Sequence, residues 1–211
     1  MEVYKTEDEQ VEELKKWWKA NGTALMVGII VVLLAVGGYR YWTAQKHSDA
    51  VQASSLLDSA VEALANGDDQ LVSDAAGQLL SMYSDTSYAP LAALTLAKSK
   101  HAVDDLTSAQ TYLQWALDNT KDDAIKHIAR VRLASVLWDQ DKPSEALQLL
   151  DGVVPGEFVA SYEELRGDIF ASQGENEKAM KAYELAVVGD TFGGSETVQL
   201  KLDGLKSLSA K

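Results

Sequence analysis

No cysteine occurs among the 211 residues. Disulfides, thiolate nucleophiles and zinc-finger spacings are therefore excluded. The absence fits an oxidising compartment without requiring one. Proline is almost as scarce, at three residues, so little in the chain breaks a helix. The histidines His47, His101 and His127 are scattered and lack a metal-ligand spacing such as H-E-x-x-H. No phosphate-cradling loop, G-x-S-x-G elbow or dinucleotide fingerprint is present. With no activated nucleophile and no base to serve one, the chain reads as a non-enzyme without catalytic, cofactor-binding or metal-binding residues. The doublets Asp68-Asp69, Asp104-Asp105 and Asp122-Asp123 do not continue into a calcium-binding loop pattern. They read as solvated loop or helix-cap residues.

Positive charge is also in short supply. Nineteen Lys and Arg face 32 Asp and Glu, a net charge of −13. Residues 1–19 contribute −2 and residues 20–48 contribute +2, so residues 49–211 carry the whole of the excess. Such a domain repels phosphate backbones, and nucleic acid is excluded as a partner.

What the chain does have is one long apolar run. Between Lys19 and Arg40 lie twenty uncharged residues, which as a helix span roughly 30 Å, the thickness of a bilayer core. Ala24, Leu25, Met26, Val27, Ile29, Ile30, Val31, Val32, Leu33, Leu34, Val36 and Tyr39 form its lipid-facing body. Trp17 and Trp18 on one side, and Tyr41 and Trp42 on the other, suit the headgroup level. A buried globular helix would show a polar stripe, and Leu25 to Val36 has none. A cleaved signal would have a short basic start and a small-residue cleavage site. Here a long polar segment precedes the run and the bulky Tyr39 to Trp42 follow it. The run reads as a permanent anchor. Lys15, Lys16 and Lys19 before it outnumber Arg40 and Lys46 after it, which favours a cytoplasmic N-terminus. Gly22, Gly28, Gly37 and Gly38 show no recurrent small-residue face and read as tolerated.

Beyond the anchor no stretch alternates with a strand's period of two, and the class is all-α. Ala50 to Leu64 has apolar residues at helical spacing and stops at Asn66-Gly67. Thr107 to Gln110 and Ser161 to Glu164 fit capping boxes. Pro143 marks a helix start, and Gly193-Gly194-Ser195 reads as a loop before the last helix.

The helices pair, and the pairs recur. In Tyr162 to Val188, Gly167 precedes Phe170 by three residues, Gly174 turns the chain, and Ala179, Tyr183 and Ala186 share one face. This spacing resembles the tetratricopeptide repeat, a helix–turn–helix unit of about 34 residues. Ala134 and Leu137 lead to Ala146, Leu150 and Val153 in the same way. Ala97 leads to Ala109, Leu113 and Ala116, with Lys100 where an aromatic is expected. Ala75, 34 residues before Ala109, suggests a degenerate fourth unit. Stacked pairs of this kind form a superhelix with a concave groove. Ser195 to Leu208 reads as a capping helix, with Val198, Leu200, Leu202 and Leu205 covering the last pair. The resemblance places Leu91, Leu94, Lys98, His101, Ile128, Val131, Ser135, Trp138, Asp139, Glu164 and Asp168 on the groove face. Trp138 reads either as a binding anchor or as packing between neighbours. Trp115 reads as packing, and Phe170 and Tyr183 as core.

The opening MEVYKTEDEQVEELKKWW, the span ending GYRYW, the repeat LRGDIF…QGENEKAMKAY and the ending QLKLDGL together resemble the YfgM-like family of ancillary SecYEG translocon subunits. The resemblance implies a single-pass inner-membrane protein: a cytoplasmic tail (1–19), an anchor (20–42) and a periplasmic repeat domain (43–211). It implies the SecYEG translocon and the periplasmic chaperone PpiD as partners, and help in passing newly exported clients to chaperones. A tail role in an envelope stress response is also attached to the family. Three readings follow: a translocon-associated adaptor, a scaffold for one folded partner, or a regulator acting through the acidic Glu2 to Glu13, a segment that otherwise reads as solvated and disordered. Deleting residues 2–14 separates the third, because envelope-stress signalling should change while contacts made during export, read by crosslinking, survive.

Overall fold

The computed structural model describes residues 7–190 and 195–209. Met1 to Thr6 of the tail and the Gly193-Gly194 loop lie outside them. The described residues form nine α-helices: α1 (Glu7–Asn66), α2 (Asp69–Met82), α3 (Ala89–Ala102), α4 (Leu106–Asn119), α5 (Asp123–Asp139), α6 (Pro143–Leu150), α7 (Val159–Ser172), α8 (Asn176–Gly189) and α9 (Ser195–Ser209). No strand occurs among them. The chain divides into two compact units, ending and beginning at Asp49 and Ala50.

In the first unit, α1 is long and apolar enough to cross a membrane, and almost none of its apolar window is buried. Leu25, Ile30 and Leu34 all present their side chains outward. The Trp18 ring covers Gly22, where an added Cβ would sit 3.1 Å from it. Past the apolar run, Tyr39 and Trp42 lie 6.4 Å apart between ring centres, and the Lys46 ammonium stands 5.9 Å over Trp42. The tail differs from the sequence expectation. From Glu7 onward it is helical rather than disordered, with Glu7, Asp8 and Glu9 in the first turn, where they offset the positive end of the helix dipole.

The second unit is a stack of four helix pairs and a cap. The last part of α1 pairs with α2, α3 with α4, α5 with α6 and α7 with α8, and α9 covers α8. One turn joins the members of every pair. Gly67, Asp104, Asp141 and Gly174 all have positive φ, between 61° and 76°. The following N–H reaches back five residues each time: Asp68 to Ala63, Asp105 to Lys100, Lys142 to Leu137 and Glu175 to Phe170, at 2.9–3.0 Å. This closure satisfies helix-end carbonyls and fixes the angle at which the chain reverses.

That turn sets the register of the repeats and corrects the first of them. Counting from it, the counterpart of Ala109, Ala146 and Ala179 is Val72, and Ala75 sits elsewhere on the helix. Ala60, Ala97, Ala134 and Gly167 occupy the matching crossing position on the first helices, all buried. The first pair inverts the usual sizes, with Ala63 where Phe170 and Leu137 stand and Leu79 where Ala116 and Ala186 stand. Its core of Ala53, Ala60, Val72, Ala76 and Leu79 joins Ala89, Ala92 and Leu96 of the second pair. Lys100, standing in an aromatic's place, bonds both oxygens of Asp69 at 2.8 and 3.1 Å, and Ser99 donates to the same carboxylate at 2.7 Å. These hydrogen bonds hold Asp69 below the ordinary carboxylate range and tie α3 to the start of α2.

Two capping boxes read from the sequence are not used. Asp105 caps α4 by accepting from Ser108 N, so Thr107 lies within the first turn, and Ser161 lies inside α7. Asp68 and Asp122 cap α2 and α5 in the same way, so each doublet supplies a cap or a turn residue. Pro143 opens α6 as expected. In α9, Val198 and Leu202 are buried and Leu205 packs beside them. Leu200 is 68% exposed and does not cover the last pair.

At the α7–α8 crossing, a Cβ on Gly167 would overlap the ring of Tyr183. That ring is buried, and its hydroxyl is held by Asp168, so it cannot yield. Gly167→Ala should therefore destabilise by about 1–3 kcal/mol. Gly77, also within a helix, has nothing within 4 Å of an added Cβ. Gly77→Ala should stabilise by about 0.5–1 kcal/mol. Denaturant unfolding of the two variants checks the opposite signs.

Candidate binding face of the repeats

The groove residues expected from the sequence come from α3, α5 and α7, and the structure sorts them into three groups. Lys98, His101 and Ser135 share a cavity of about 280 Å³ with Ala97, Leu113, Arg132 and Val136. Its floor is core: Ala97, Leu113 and Val136 are each nearly fully buried. His101 Nε2 lies 2.7 Å from Asp139 Oδ2, a contact that links the ends of α3 and α5. The polar walls come from α3 and α5, and α4 adds Leu113 to the apolar floor.

A second group belongs to packing. Leu94 is buried, and Val131, Ile128 and Trp138 are half-buried against the main core cluster. Leu94 is thus taken up by the core instead of lining a groove. Trp138 keeps part of its surface free while packing on that core, so both readings of it describe part of the side chain. Trp115 packs between the two largest core clusters. Leu91 lines a separate cleft of about 860 Å³ between residues 84–91 and 119–125.

The third group is already engaged. Lys201 of α9 bonds Glu164 Oε1 at 2.9 Å and the two oxygens of Asp168 at 2.7 and 2.8 Å. Tyr183 donates its hydroxyl to Asp168 Oδ1 at 2.7 Å, and the Lys201 ammonium stands 5.8 Å over the Tyr183 ring. The cap therefore offsets part of the acidic charge on the last pair.

Arg132 was missed by the sequence reading because it lies one position beside the repeat's inner-face spacing. Its signal was its place three residues before Ser135, on the same side of α5. Elsewhere, His127 stacks on Phe158 with ring centres 4.9 Å apart, and its Nδ1 lies 2.9 Å from the Tyr162 hydroxyl. Among the described residues, no group of three His, Asp or Glu is placed to hold a metal ion.

The Lys201 cluster has a pH signature. Burial opposes the Lys201 charge, but hydrogen bonds and attraction from Asp168 and Glu164 outweigh it and raise its pKa. Burial, with Asp168 beside it, also raises the Tyr183 hydroxyl far above its ordinary value. Both groups keep their protons longer in the folded chain than in the unfolded one. Their stabilisation is complete below about pH 10 and is lost as pH rises further. Lys201→Met should lower the thermal midpoint at pH 7 by a few degrees and reduce its alkaline fall; circular dichroism melts between about pH 7 and 11 read both.

A family profile described as a tetratricopeptide repeat-like domain matches residues 15–207. The chain is 32% identical to the ancillary SecYEG translocon subunit of Escherichia coli K12, over 97% of this chain and 99% of that protein. The protein of the same name from Neisseria gonorrhoeae is 30% identical over 98% of this chain and all of its own length. That from Haemophilus influenzae is 29% identical over 96% of this chain and all of its own. No solved structure matches the chain. Neither description is that of an enzyme family. An apolar N-terminal helix followed by a tetratricopeptide-like stack, with end-to-end similarity at this level, establishes that the chain belongs to the family of ancillary SecYEG translocon subunits.

Proposed function

We propose that this protein is a membrane-anchored adaptor of the SecYEG translocon that helps pass newly exported proteins to periplasmic chaperones. Family membership supports the translocon association, since the relatives carry that association in their names. The structural observation that carries the handover is the unfilled face of α3 and α5. There Lys98, Arg132 and Ser135 surround an open cavity, and Trp138 stands part-exposed nearby.

In this reading α1 anchors the chain in the inner membrane with its N-terminus in the cytoplasm and the repeats in the periplasm. The Lys15, Lys16 and Lys19 flank supports that orientation. Tethering holds the binding face at high effective concentration near the translocon exit, so weak contacts suffice. PpiD is the chaperone partner this reading assigns. The acidic excess of the domain keeps it soluble and sets encounter rates with basic or unfolded chains.

Photo-crosslinking in cells from position 138, with products identified by mass spectrometry, tests the reading. A heterogeneous ladder of exported proteins means that the face handles clients directly. A single band containing PpiD or a translocon subunit makes the protein an adaptor whose partner does the chaperoning. Absence of both, in a variant that remains folded, removes this face from the function.

A further inference from the structure

Several cations in this acidic chain sit against carboxylates. Lys100 pairs with Asp69, Lys126 with Asp123, Arg166 with Glu163 and Asp151, Lys178 with Glu175, and Lys201 with Glu164 and Asp168. Lys98 and Arg132 do not, and neither do Lys121 and Lys181, but Lys98 and Arg132 share one cavity. Both are exposed, both line the 280 Å³ cavity, and neither has an ion pair or hydrogen-bond partner among the described residues. Residues 49–211 hold two acids for every base, and at this hollow two cations face the space with no acid set against either.

The neighbouring carboxylate, Asp139, contacts neither cation. Asp139 is taken by His101 at 2.7 Å, which leaves the two cations and the Ser135 hydroxyl facing the space. Below them lie Ala97, Leu113 and Val136. We propose that this cavity is a subsite for an Asp or Glu side chain of an extended peptide, seated with an apolar neighbour on the cavity floor. Arg132 offers a planar fork suited to a carboxylate, and Lys98 adds a mobile point charge. At about 280 Å³ the hollow is smaller than the usual range for cofactors or drug-sized ligands and suits one or two side chains. It lies on the second and third of four helix pairs, so the array extends past it both ways. That placement suits an internal residue of a passing chain over a chain end.

This inference rests on the reading of the α3–α5 face as a peptide-handling surface, and it adds a sequence preference. The test uses the full chain in detergent micelles and two dansylated, C-terminally amidated octapeptides, Ser-Gly-Asn-Leu-Glu-Asn-Gly-Ser and its Gln counterpart. Amidation removes the terminal carboxylate, and anisotropy reads binding. The Glu peptide should bind about tenfold more tightly than the Gln peptide at low salt. Arg132→Gln and Lys98→Gln should each reduce that preference to about twofold or less, and Arg132→Glu should abolish it. Both positions are exposed, so unchanged melting curves certify the fold of the variants. Equal affinities for the two peptides, or a preference that survives both Gln substitutions, overturn the subsite. If crosslinks from position 138 persist in cells while the peptide preference is absent, the adaptor reading stands and the subsite falls. If the preference holds while those crosslinks are missing, the subsite stands and client handling at this face falls.

Discussion

Every helix pair in the second unit depends on one backbone closure. A residue in the left-handed region reverses the chain, and the next N–H bonds a carbonyl five residues back. Because that closure recurs at Gly67, Asp104, Asp141 and Gly174, each second helix leaves its partner in the same register. The same two positions then meet at every crossing, and a small residue is needed on at least one side. At Gly167 an added Cβ would overlap the Tyr183 ring. Interior close packing follows from this, since the pairs can stack only if each presents the same profile to the next.

The paired helices also explain where the charges go. Side chains of first helices reach across to a neighbouring pair or to the cap, as Lys100 does to Asp69, His101 to Asp139 and Asp168 to Lys201. Substitutions that look like faults in a single repeat are contacts between repeats. Lys100 stands in an aromatic's place, yet its ammonium joins Ser99 in satisfying Asp69 of the preceding pair. Each tie is modest alone, and together they join α3 to α2, α3 to α5 and α7 to α9.

Much of this was legible in the residues, and the misses share a cause. The anchor, the all-α class and three of the pairs follow from hydropathy and from the spacing of Ala109, Ala146 and Ala179. The first pair was obscured because Val72, Ala63 and Leu79 exchange large for small at matched positions, conserving volume across the pair instead of at each site. The two middle turns were obscured because Asp104 and Asp141 stand where glycine is expected; aspartate tolerates that backbone region better than most residues. Local hydroxyl–acid patterns misplaced two caps, since Asp105 took one and Ser161 fell inside a helix. On the face formed by α3 and α5, repeat spacing brought Lys98, His101 and Ser135 together, but it could not tell Leu94 from a groove residue or include Arg132. Those distinctions depend on how α3 and α5 rotate against each other, which spacing along one helix does not encode.

Lys201 does more than close the end of the stack. Glu164 and Asp168 present two carboxylates to whatever follows α8, and α9 answers them with one ammonium in register. A further repeat inserted there would have to bring a cation to the same height or leave like charges facing each other. A shortened chain ending at α8 would leave them unanswered. The array is thus addressed as well as capped: the charge pattern of its last surface fits α9 and marks which pair stands at the end.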